Sequence, residues 1–154
     1  MVDVCFYNKK YACNKVLEHS GDKRDGLSPG VDEEISINLQ KEVIGNIAGF
    51  IFVVNSCNKK LSEVKNGTIC CKGSSGQTLG ETPIPAFESF GAISVIFYRV
   101  NDSGQWFLNF VNTISKGRNF QESMPQIQKA LTRTMGEQFK GLQGNMTWHI
   151  FSAS

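Results

Sequence analysis

Six of the fourteen acidic residues, Glu18, Asp22, Asp25, Asp32, Glu33 and Glu34, fall within one seventeen-residue stretch punctuated by Gly21, Gly26 and Gly30. Carboxylates on a glycine-rich loop can converge on a hard cation, because Ca²⁺ takes six to eight oxygen ligands at about 2.3–2.6 Å and loop carbonyls supply the remainder. The spacing is not that of an EF-hand. Lys23 and Arg24 share the loop and would pair with the acids or repel a cation. Read from composition alone, the cluster is first a solvated charged loop and second a metal site.

Other chemistry leaves less trace. His19 and His149 are the two histidines, and neither sits in H-E-x-x-H or beside a second ligand at metal spacing. No G-x-S-x-G elbow, P-loop or dinucleotide fingerprint occurs. The expectation is a protein that is not an enzyme. A hydrolase working through His19 or Cys57 is the third reading, since a Cys–His pair can be distant in sequence. Cys5, Cys13, Cys57, Cys70 and Cys71 form an odd set with no C-x-x-C pair, which reads as reduced thiols in a cytoplasmic protein. Sequons at Asn66, Asn101 and Asn145 are read as turn chemistry.

The elements that must position these residues are mostly strands. Val2 to Tyr7 is β-prone, and residues 8–31 read as a long polar loop. Glu34 to Leu39 alternates Ile35, Ile37 and Leu39 with Glu34, Ser36 and Asn38, which predicts a half-buried strand. Gly49 to Asn55 is continuously apolar and suits a strand covered on both faces. Gly67 to Lys72 is another candidate. Ala92 to Val100 and Gln105 to Ile114 flank the turn formers Asn101-Asp102-Ser103-Gly104, which predicts a hairpin.

The period then changes. Met124, Ile127, Leu131, Met135, Phe139 and Leu142 recur every three or four residues and make one apolar helical stripe. Ser123 would be its N-cap and Pro125 lies in its first turn, with Gly141 or Gly144 ending it. Asn145 to Phe151 offers a last strand. The predicted fold is mainly β: a β-sandwich of two antiparallel sheets with one C-terminal α-helix, in a single domain over 1–154 (1–118 sandwich, 119–154 helix plus final strand).

Composition agrees with one ordinary globular unit. The 154 residues are 40% hydrophobic and 19% charged, with a formal net charge of +2. That balance carries no nucleic-acid footprint. The longest apolar run, near Ile47 to Val54, is too short to span a membrane, and the first residues lack the pattern of a signal peptide.

Several segments in collinear order carry a resemblance. Val4-Cys5-Phe6-Tyr7-Asn8, Glu18-His19-Ser20-Gly21-Asp22 and Asp32-Glu33 leading into Ile35-Ser36-Ile37-Asn38-Leu39 resemble the TerD (tellurium-resistance, stress-response) family. That family reads F-x-F-Y-N, then H-S/T-G-D-N-x-T-G, then G-D-D-E and a strand. Phe50-Ile51-Phe52-Val53-Val54 is similar to its buried I-x-F-V-V strand, and Val64, Asn66 and Ile69 to its V-x-N-A-x-I. Ile96-Phe97-Tyr98-Arg99 with Gly104-Gln105-Trp106-Phe107 is similar to its L-Y-R-x-x-G-x-W-x-F hairpin. The likeness runs from about Val2 to Leu131.

The resemblance implies a non-enzymatic, calcium-binding β-sandwich of the bacterial cytoplasm that acts in stress responses through partner proteins. A branch of that family binds cyclic AMP. The implied ligands are Asp22, Asp25, Asp32 and Glu33. Lys23 stands in place of a loop asparagine, Pro29 of an acid and Val31 of the first paired aspartate. A lysine in place of an oxygen donor repels the ion, so Ca²⁺ binding is expected to be weak, partner-assisted or lost. The alternative is a cyclic-nucleotide or small-anion binding or protein-interaction module, with Lys23 and Arg24 on the anion. The family's first strands have no counterpart here, and a sheet without them exposes an edge. The final strand or self-association with a second subunit is expected to cover it.

Overall fold

The computed structural model describes residues 2–21, 33–40, 47–56, 58–99, 104–136 and 147–153, the first and last of these strands through their backbones at 2 and 147–153. Among the described residues, ten strands and one α-helix follow in chain order: β1 (Val2–Phe6), β2 (Tyr11–Ala12), β3 (Leu17–His19), β4 (Ile35–Ile37), β5 (Ile47–Asn55), β6 (Thr68–Lys72), β7 (Thr78–Pro83), β8 (Gly91–Arg99), β9 (Trp106–Ser115), α1 (Met124–Met135) and β10 (Thr147–Ala153). The fold is mainly β, with α1 as the one α-helix among the described residues, a β-sandwich as the patterning predicts. Its large sheet has the order β1-β10-β5-β8-β9, a smaller one the order β2-β3-β4, and β6-β7 form a separate ribbon.

The apolar run at β5 is central for the expected reason. Ile47 through Ile51, Val53 and Asn55 are buried, and successive side chains serve two different layers. Ile51 and Val53 join Ile93, Ile96, Ile127, Leu131 and Met135 between sheet and helix. Phe50 joins Cys5, Val16 and Leu17 under the small sheet, with Phe52, Phe97 and Trp106 packed around them. The rings of Phe50, Phe97 and Trp106 stack across β5, β8 and β9, with centroids 4.8 Å apart for Phe97–Trp106 and 5.5 Å for Phe50–Trp106.

The predicted β8–β9 hairpin pairs antiparallel from Gly91↔Ser115 to Arg99↔Trp106, with an irregularity between Ile93 and Val95. Residues 100–103 of its turn lie outside the described residues. The last strand departs from a purely antiparallel sheet. β10 lies between β1 and β5 and runs parallel to both, from Val2↔Trp148 to Phe6↔Ser152 on one side and from Thr147↔Ile47 to Ala153↔Val54 on the other. It is thus an interior strand, and the sheet edges fall at β1 and β9.

Three local expectations need correction. Residues 8–31 are not one loop, because β2 and β3 pair within them as Tyr11↔Glu18 and Ala12↔Leu17. Strands of two and three residues are too short to show a period. They are joined by Cys13, Asn14 and Lys15, all left-handed at φ 52°, 51° and 62°, a conformation costing roughly 1–2 kcal/mol per residue outside glycine. The helix ends sooner than expected, at Gly136 (φ 56°), whose N–H bonds the Thr132 carbonyl at 2.8 Å. Phe139, Gly141, Leu142 and Gly144 lie outside the described residues. Ser123 holds the N-cap position without capping. Its hydroxyl donates to the Asn119 carbonyl at 2.8 Å and contacts the Ser115 hydroxyl, because the site is buried against the sheet.

Candidate functional site at the base of the acidic loop

The motif Glu18-His19-Ser20-Gly21 lies where β3 leaves the small sheet, and Glu33-Glu34 lie where β4 enters it. Leu17↔Ile37, Glu18↔Ser36 and His19↔Ile35 pair antiparallel. The ladder continues one step beyond the strands: the Ser20 N–H donates to the Glu34 carbonyl at 2.9 Å, and the Glu34 N–H donates to the Ser20 hydroxyl at 3.0 Å. The two ends of the intervening segment are therefore fastened together, although fourteen residues separate Ser20 from Glu34 in the chain.

His19 and Gly21 set the direction of departure. The His19 ring is buried, and its Nδ1 accepts the Gly21 N–H at 2.9 Å. A ring accepting at Nδ1 carries its proton on Nε2. Gly21 has φ +105°, which side chains other than glycine's rarely adopt, and a Cβ there would lie 3.0 Å from the Lys10 Nζ. That ammonium thus sits against Gly21, where the acidic segment begins. Lys10 is held by its backbone, whose carbonyl accepts the His19 N–H at 2.8 Å and the Cys5 thiol at 3.3 Å.

A second charged group braces the approach. Burial alone would raise the Asp3 pKa, but the Lys9 ammonium and the Cys13 and Val4 N–H groups donate to the carboxylate and hold it below its usual range. These bonds tie β1 to the left-handed turn at Cys13.

Of the expected metal ligands, Asp22, Asp25 and Asp32 lie outside the described residues, as do Lys23 and Arg24. Glu33 is half-buried beside the Ser20–Glu34 closure. Glu18 and Glu34 are exposed on the small sheet, where Glu34 accepts from the Ser36 hydroxyl at 3.3 Å. Among the described residues, no three His, Cys, Asp or Glu side chains converge as a metal centre. Sequence reasoning missed Lys10, because nothing local marks a lysine seven residues before β3 as part of the loop base.

The thiols nearby are poorly suited to nucleophilic work. Burial pushes the Cys5 thiol up to about 11 and the Cys13 thiol up to about 12, so both are protonated at neutral pH. Cys57 lies outside the described residues, and His149 occupies β10 opposite Asp3 and Phe50. No described helix is long and apolar enough to cross a membrane. No family model, curated protein or solved structure matches the chain.

Proposed function

We propose that the chain is a non-enzymatic, TerD-like stress-response domain of the cytoplasm, acting through partner proteins, whose 22–33 segment binds Ca²⁺ weakly. Asp22, Asp25, Asp32 and Glu33 are its ligands. The observation that carries this reading is the closure of the loop base by Ser20–Glu34 and His19–Gly21. It brings the chain on either side of the acidic segment to one place, at the motif on which the family resemblance is most specific. A cation there would offset repulsion among the carboxylates.

Calcium bound only to the folded state stabilises by RT ln(1 + [L]/Kd), about 2.7 kcal/mol at a hundredfold excess over Kd. The melting temperature is expected to rise in millimolar Ca²⁺ but not Mg²⁺, and calorimetry should give a binding heat that Asp32→Ala removes. A flat melt together with no heat would sink the calcium assignment and leave the fold untouched.

The Lys10 ammonium against Gly21 favours a second reading on the same site, a cyclic nucleotide or small anion held with Lys23 and Arg24. Titration with cyclic AMP separates the two. Saturable binding abolished by Lys10→Ala would support the anion, whereas a cation site ignores the nucleotide.

A further inference from the structure

The two edges of the large sheet are treated differently. β1 is five residues long, carries the Asp3–Lys9 ion pair, and is bridged by Phe6↔Lys9 and by the Cys13 N–H on Asp3. Charges and a folded-back chain are devices that stop an edge from pairing further. β9 has neither. Its ten residues, Trp106-Phe107-Leu108-Asn109-Phe110-Val111-Asn112-Thr113-Ile114-Ser115, include no charged residue and no proline.

Among the described residues, the backbone ladder of β9 runs along β8 and along no other strand. Among the described residues its side chains bond from the Asn112 amide to the Thr82 hydroxyl of β7, from the Thr113 hydroxyl to the Val111 carbonyl, and from the Ser115 hydroxyl to Ser123. Solvent reaches every residue from Trp106 to Ile114, while Gly91 through Ile96 on the neighbouring strand are buried. Phe107 is 38% exposed. The backbone turns left-handed at Asn112 (φ 39°), which limits a regular outer edge to Trp106 through Val111.

We propose that this edge pairs antiparallel with the same edge of a second copy of the chain, about a two-fold axis at Asn109. Phe107 and Val111 lie on the helix side of the sheet: Phe107 stacks on Tyr98 at 5.8 Å, and both Tyr98 and Val111 pack on the helix-side cluster. A register centred on Asn109 sets Phe107 of one copy opposite Val111 of the other, and Leu108 opposite Phe110, each pair on one face. Directly opposed residues on one face have Cβ atoms about 4.5–5.5 Å apart. The two Asn109 amides meet on the axis, where each can donate and accept. Centring on Leu108 would instead set the exposed Phe107 against Asn109. A second copy fits because the strand is uncharged, so no like charges oppose across the axis, and a two-fold contact closes rather than propagating.

Light scattering on the full chain, over a concentration series, reads the result. Wild type is expected to form a dimer. Asn109→Asp and Asn109→Lys should each be monomeric through like charges on the axis, and mixing the two should restore a dimer containing one of each. Phe107→Lys, at an exposed position, gives the same loss of dimer should a charge at Asn109 impair folding, with thermal melts reporting on the fold. A wild type that stays monomeric, or variants that stay dimeric while melting normally, would overturn the proposal.

Discussion

At the residue scale, the chemistry near the loop base is set by burial and backbone conformation more than by which side chains are present. Cys5 illustrates this. Its thiol is fully buried and donates to the Lys10 carbonyl, and with a pKa pushed to about 11 it is thiolate in only about one molecule in a thousand at pH 8. Cys70 is exposed on the ribbon. Brief alkylation of the native protein at pH 8 should therefore label Cys70 and spare Cys5 and Cys13, with both becoming reactive in denaturant. Mass spectrometry of the labelled peptides decides it, and native labelling of Cys5 at the rate of Cys70 would revive a nucleophilic role. The histidine, serine and glycine of the loop base were legible as a motif. That His19 turns inward and orients Gly21, and that Lys10 lies against the glycine, depends on a fold-back that no local spacing records.

At the element scale, patterning was a good guide for the nine- and ten-residue strands and for the helix. The apolar run became β5, the hairpin became β8 and β9, and the stripe through Met124, Ile127, Leu131 and Met135 became α1. It missed β2 and β3, whose existence depends on pairing with each other and with β4, and β7, which pairs with β6. The Phe50–Phe97–Trp106 stack joins three strands under the small sheet, with Arg99 over the Trp106 ring at 5.7 Å and bonded to the Ile47 carbonyl at 3.0 Å. Phe50 is its buried member. Phe50→Ala should cost about 3–5 kcal/mol, the usual range for removing a core aromatic. Urea unfolding would reveal it as a lower midpoint. A loss below roughly 1 kcal/mol would mean that the stack is not part of the core.

At the scale of the whole molecule, the arrangement that matters most is the return of the chain's last strand to the middle of the sheet. β10 pairs with both β1 and β5, so among the described residues β1 joins the large sheet through a strand that follows it by nearly the whole chain. Deleting residues 147–154 should abolish the cooperative thermal transition seen by circular dichroism, and a truncated chain that melts at the wild-type midpoint would refute this. Pairings of such separation also place folding toward the slow, millisecond-to-second end for domains of this size. The sequence by itself determined the mainly β class, the two central strands and the helix, because alternation and helical period are local consequences of which faces must be buried. It also marked the acidic loop and the motif at its base. Only the tertiary structure decided that β10 enters in parallel between β1 and β5, that β2, β3 and β7 exist, and that β9 is an edge of the large sheet. Backbone hydrogen bonds between strands carry no residue signature, so which strands become neighbours is decided by competition among all the strands at once.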